Sequence, residues 1–140
     1  MNQFGALSCP TPQRCYVLGH GSLRGLWATS DAGKNWVKRR LPSGTVLKTV
    51  DGGVTWKKQG SGTGLGLSEV CFTDATHGFA VGADGVILHT DDGGEQWIEQ
   101  SSGTTSGLSD FCFVDRLHGW AIGKHVRLRT TDGGKTWKRL

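Results

Sequence analysis

The chain has 140 residues, with 16 Lys and Arg against 12 Asp and Glu for a formal net charge of +4, and it holds 23 glycines, 3 prolines and 4 cysteines. That length suits one domain. No run of about 18 apolar residues is present, which excludes a membrane-spanning helix, no apolar N-terminal run reads as a secretion signal, and apolar-polar alternation between the glycines excludes a disordered chain.

In chain order, short alternating segments predict strands over 6–9, 15–19, 25–29 and 36–41. A turn at Pro42-Ser43-Gly44 leads to a hairpin over 46–49 and 56–59. A Gly/Ser/Thr linker over 60–66 precedes strands over 67–74 and 77–82 and a hairpin over 86–100. A second linker, 101–107, precedes a matching set over 108–140. The signals are those of strands and tight turns, and helix signals are absent.

One pattern ties these segments together. The frame T-x-D-[GA]-G-x-x-W begins at Thr29, Thr49, Thr90 and Thr130. Its fixed residues are Asp31, Gly33 and Trp36, then Asp51, Gly53 and Trp56, then Asp92, Gly94 and Trp97, then Asp132, Gly134 and Trp137. Asp is expected to accept backbone N–H groups one or two residues on, and Gly to supply a positive φ. The Trp is expected to start the second strand of a hairpin and fold back over the turn.

The spacings are 20, 41 and 40. A unit of about 40 residues with four short strands is a propeller blade. The last two units show it in full: Leu67 to Asp74 matches Leu108 to Asp115, and His77 to Gly82 matches His118 to Gly123. These are strands A and B, and the hairpin around the box supplies C and D. The expected fold is all-β, a β-propeller of four-stranded antiparallel blades with about three and a half blades per chain. The expected divisions are a divergent blade over 1–44, a half-blade hairpin over 45–60 lacking A and B, and blades over 61–107 and 108–140.

Fourteen strands are too few to close a ring, which takes about four to eight blades. Two copies would supply the strands of seven blades. The expectation is therefore a homodimer that closes the ring, with a hairpin exchanged between chains as one route. The internal deletion also suits a fragment or a rearranged product of a larger propeller.

The boxes resemble the Asp-box, or bacterial neuraminidase repeat. The whole unit, L-x-x-[VF]-x-F-x-D-x-x-x-G-[FW]-A-[VI]-G followed by T-x-D-G-G-x-x-W, resembles the repeat of photosystem II assembly/stability-factor-like propellers. The match is close over 61–140 and loose over 4–41. It implies a propeller that holds a client polypeptide or a polar ligand, in a periplasmic or extracellular setting. Sialidase chemistry does not fit: the only Tyr, Tyr16, lies in a strand, and the F/Y-R-I-P motif is absent.

Blade geometry places the A–B and C–D loops on one face of the ring, so His77 and His118 share the face of the boxes and read as structural. The opposite face receives the B–C loops, with His20, Asp84, Lys124 and His125. It also receives the starts of the A strands, with Glu69 and Asp110 at equivalent positions. Asp84 and Lys124 are candidate ligand contacts. Glu69, Asp110, His20 and His125 are candidate catalytic groups, because carboxylate plus imidazole can act as acid and base or hold a divalent metal that activates water. The alternative is that all six are solvated loop residues.

Cys71 and Cys112 hold equivalent A-strand positions and are expected to be buried. Cys9 and Cys15 flank an A–B turn; a disulfide and two free thiols are both open. Basic residues crowd strand D and its exit, at Lys38, Arg39, Arg40, Lys57, Lys58, Lys138 and Arg139. They suit protection of an exposed edge, and without interleaved aromatics or a nucleic-acid motif no nucleic-acid partner is expected. Three functional readings remain: a binding or scaffold module, a small metal-assisted hydrolase of activated esters or phosphoesters, and a repeat fragment with no function of its own.

Overall fold

The computed structural model describes strands at 7–11, 14–18, 25–28 and 37–40 by their backbone, and residues 46–51 and 54–140 with their side chains. Fourteen strands occur among the described residues. β1 (Leu7–Thr11), β2 (Arg14–Leu18), β3 (Gly25–Ala28), β4 (Val37–Arg40), β5 (Val46–Thr49) and β6 (Lys57–Gln59) lie in the first half. β7 (Leu67–Phe72), β8 (Gly78–Gly82), β9 (Ile87–Thr90) and β10 (Ile98–Gln100) form one four-stranded antiparallel sheet in sequential order. β11 (Leu108–Phe113), β12 (Gly119–Gly123), β13 (Arg127–Thr130) and β14 (Lys138–Arg139) form another.

The first blade is not sequential. Its order is β1-β2-β5-β6, and β3-β4 forms a separate two-stranded sheet. This corrects the expected grouping of the first four strands as one blade with a lone hairpin over 45–60. β2 pairs with β5 through Cys15↔Thr49, Tyr16↔Lys48, Val17↔Leu47 and Leu18↔Val46. The half-blade is therefore β3-β4. Spacing alone could not decide this, because both hairpins carry the same box.

The blades stack through their inner strands, β1 and β2 against β7, and β7 and β8 against β11. Two apolar layers result. Val46 meets Leu67, Val70, Phe72, Ala80, Leu88 and Trp97 between the first and second blades. Phe79, Val81 and Ile87 meet Leu108, Phe111, Ala121, Leu128 and Trp137 between the second and third. A sheet with both faces packed reads as nearly continuous apolar sequence, as in Gly78-Phe79-Ala80-Val81-Gly82, where every residue is buried.

The boxes are hydrogen-bonded corners. Thr90 Oγ1 donates to Asp92 Oδ1 at 2.8 Å and accepts the Gly94 N–H at 2.9 Å. Asp92 Oδ1 then accepts the Gln96 N–H at 3.0 Å, four residues on, not the one or two expected. Thr130, Asp132, Gly134 and Thr136 repeat the arrangement, and Thr55 bonds Asp51 in the same way. Gly94 and Gly134 sit at φ 83° and 82°, a region L side chains seldom adopt. The Trp packs on the A strand of its own blade, with its ring set edge-on to a phenylalanine, Trp97 on Phe72 and Trp137 on Phe113. The boxes at 29–36 and Gly53 lie outside the described residues.

Candidate functional site: the loop face at the inner strands

Backbone hydrogen bonds define the two loop faces. The Gly93 N–H of a box donates to the Thr76 carbonyl of an A–B turn, and the Gly133 N–H does the same to Leu117. On the opposite face, the Ala83 N–H of a B–C turn donates to the Gly66 carbonyl of the loop entering strand A. His77 and His118 therefore belong to the box face. Each is tied by Nδ1 to an aspartate three residues earlier, His77 to Asp74 and His118 to Asp115. Asp74 also accepts the Thr76 and His77 N–H groups and holds Arg116 of the next blade at 3.2 Å. Those backbone donors, His77 first, hold Asp74 well below the usual carboxylate range.

The opposite face starts from a bulge in each A strand. Leu67 pairs with Gly82 but Glu69 with Val81, so Ser68 is the extra residue. Ser109 is its counterpart, between Leu108↔Gly123 and Asp110↔Ile122. A bulge shifts the alternation by one. Leu67 and Val70, three apart, are both buried as a result. Glu69 and Asp110 follow the bulges directly. The same alternation leaves Cys71 and Cys112 exposed, which corrects the expectation that they are buried. No sequence signal marks these bulges beyond a Ser ahead of the acid in both copies.

Glu69 and Asp110 come into electrostatic reach of each other across adjacent blades. Partial burial raises the Glu69 carboxyl above its ordinary value, and the negative charge of Asp110 raises it further; the Val70 N–H opposes both. Asp110 accepts the Phe111 N–H at 2.7 Å. Beside them runs an open groove of about 570 Å³, lined by Ser68, Leu108, Ser109 and Lys124 with Gly66, Gly107 and Gly123. Glycines at its edge sit where strand B and the entering loop cross closely. A Cβ on Gly82 would lie 2.0 Å from the Gly66 carbonyl oxygen, and one on Gly123 would lie 2.1 Å from that of Gly107. The loop crosses the end of strand B so closely that only Gly fits.

The other site residues scatter. Asp84, at φ 53° in the turn Ala83–Gly85, lines a separate polar groove with Glu99, Ser102, Thr104 and Arg139. His125 lines a third groove, and its carbonyl accepts Arg139 Nη2 at 3.3 Å. His20 lies outside the described residues, as do the side chains of Cys9 and Cys15. The structure thus joins Glu69 with Asp110 and places Lys124 on the adjoining groove; His125 lines a groove that shares Gly123 and Lys124 with it, and Asp84 lines another. Among the described residues no group of three or more His, Cys, Asp or Glu side chains is placed to hold a metal.

The segments expected as linkers are built turns. Ser61 Oγ bonds the Thr63 backbone and Thr63 Oγ1 accepts the Leu65 N–H. Ser102, Thr104 and Ser106 repeat that set. Gly62 and Gly103 hold φ 73° and 68° at matching places. Their S-G-T spelling was the readable sign of a repeated turn.

A family model described as photosynthesis system II assembly factor YCF48 matches residues 63–140, more than half of the chain. The chain belongs to this family. Its fold agrees with solved structures of family members. One, YCF48 bound to D1 peptide, aligns at TM-score 0.69 and 20% identity, over 98% of this chain and 39% of that one. YCF48 from Cyanidioschyzon merolae aligns at TM-score 0.70 and 20% identity, over 98% and 40%. An ancestral GH74 enzyme aligns at TM-score 0.64 and 12% identity, over 100% and 25%. The chain thus spans about two fifths of the length of these YCF48 structures. No curated protein matches it. The fold is a BNR-type β-propeller, with three four-stranded blades and a two-stranded half among the described residues.

Proposed function

We propose that this chain is a polypeptide-binding module that holds an extended peptide in the groove at the inner-strand mouth. The observation that carries the reading is the groove itself. It joins backbone-lined glycines, two serines, an apolar Leu108 and one cation, Lys124, on the face away from the structural boxes. Such a mixture suits a main chain with a few side chains rather than a small apolar ligand. A polypeptide ligand is also what the solved YCF48 complex contains. No observation favours the hydrolase reading specifically.

The ring would be completed by a second copy, giving seven blade equivalents. An unfinished blade face supports this. Val81 is fully buried against the third blade, whereas its counterpart Ile122 on the third blade is 45% exposed. Trp120 beside it is only partly buried and carries Arg129 at 5.8 Å over its ring.

The test is fluorescence anisotropy with the labelled peptide of the solved YCF48 complex as probe. Binding that weakens at least tenfold in Lys124→Glu and Ser109→Arg, with the fold intact by circular dichroism, is expected. No binding, or binding indifferent to both changes, overturns the peptide reading. Light scattering addresses closure separately: twice the 15.0 kDa chain mass is expected, and a stable monomer removes the dimer.

A further inference from the structure

Two hairpins in this chain follow β2, and one of them takes its edge. In the second and third blades, strand C follows strand B after the short connections 83–86 and 124–126 and pairs with it. Short connections favour such neighbours. In the first blade, β3 follows β2 after 19–24, yet the edge of β2 is taken by β5, reached only after 19–45. Among the described residues β3 and β4 pair only with each other, from Gly25↔Arg40 to Ala28↔Val37.

The sequence makes the two hairpins interchangeable in frame. Aligning their boxes sets Thr29 at the place of Thr49, Ala28 at Lys48, Trp27 at Leu47 and Leu26 at Val46. The two positions that are buried and apolar in β5, Val46 and Leu47, are apolar in β3 as well. One difference favours β5: Lys48 reaches Glu95 of the next blade, and Ala28 has no such group. A two-stranded hairpin on its own is marginal in water, so whichever hairpin is left out gains by taking the edge.

From this we infer that β3-β4 and β5-β6 are alternative outer halves of the first blade, exchanging on the edge of β2 within one chain, with the Lys48–Glu95 pair biasing the exchange toward β5-β6. The exchange swaps which residues meet the second blade while leaving β7 to β14 in place.

Cys15 reports it directly, because its backbone is the register partner of Thr49 in the β2–β5 pair. In a background with Cys9→Ser, Cys71→Ser and Cys112→Ser, Thr49→Cys is to be oxidised and mapped by mass spectrometry, and Thr29→Cys likewise. The expected result is an intrachain bond to Cys15 in most Thr49→Cys molecules and in a minor fraction of Thr29→Cys molecules. Adding Lys48→Ala should raise the Thr29→Cys yield several-fold. An absent Thr29→Cys bond, a bond formed only between chains, a yield indifferent to Lys48→Ala, or failure of Thr49→Cys to bond would each overturn the inference. Hydrogen exchange on the unmodified chain gives an independent reading. Amides of β5 should exchange faster than those of the equivalent β9, and equal protection would also overturn it.

Discussion

Lys48 Nζ lies 2.6 Å from Glu95 Oε1 and joins the strand C of one blade to the box of the next. The lysine side chain is 8% exposed and the carboxylate 66%. The pair is therefore lopsided. Removing the lysine frees an already solvated acid, whereas removing the acid strands an ammonium that has left water. Glu95→Ala should cost about 1–2 kcal/mol in urea unfolding and Lys48→Met less than that. A double-mutant cycle checks the coupling; equal losses for both single changes would show that the asymmetry of burial does not matter.

The strand B glycines should be intolerant for reasons of space alone. Gly82→Ala and Gly123→Ala each push a methyl into the carbonyl of the loop crossing above. Overpacking against backbone costs about 1–3 kcal/mol. Gly103→Ala, which meets no atom but holds φ 68°, separates strain from space and should cost about 1 kcal/mol. Thermal unfolding of the three variants provides the ranking, and a harmless Gly82→Ala would contradict the close crossing.

The box aspartates should set the acid limit of stability. Thr49 and Thr55 hold Asp51 at about 2, and Thr136 followed by Thr130 holds Asp132 at about 2, from an ordinary 3.8. The Gln96 N–H, chiefly, lowers Asp92. A carboxyl whose folded pKa is depressed adds stability above its unfolded value and loses it as pH falls toward the folded one. Stability should therefore hold steady down to about pH 4 and drop between about pH 4 and 2. Asp132→Asn should remove part of that drop, as followed by tryptophan fluorescence.

Glu69 should behave in the opposite sense. Its raised pKa means that ionisation opposes the folded state, so stability gains from protonation as pH falls through the folded value. Glu69→Gln is expected to raise the Tm at pH 7 and to lose that advantage in acid. Asp110→Asn should bring the Glu69 pKa down in an NMR titration. An unchanged titration would mean that burial, not Asp110, is the whole cause.

Trp97 and Trp137 are buried with indole N–H groups that find no partner among the described residues. What they supply is ring area against Phe72 and Phe113. Trp97→Phe should thus cost much less than Trp97→Ala, which should lose about 3–5 kcal/mol. Chemical denaturation distinguishes the two, and equal costs would assign a role to the indole nitrogen.

Local chemistry is written in the residues that perform it. Thr90, Asp92, Gly94 and Trp97 spell a corner whose hydrogen bonds span five residues, so the box, the strands around it and the repeat of about 40 residues are legible from the chain alone. The position of Glu69 beside Asp110 also followed from repeat register. The bulges at Ser68 and Ser109 did not, because one extra residue in a strand changes no composition and only the register against strand B reveals it. Nor did the exposure of Cys71, which depends on that shift. The choice between β3-β4 and β5-β6 lay furthest from reach: both hairpins satisfy the same short-range rules. Only tertiary contacts separate them, through Val46 in the layer against the second blade and Lys48 on Glu95, 47 residues away, contacts that no local pattern connects.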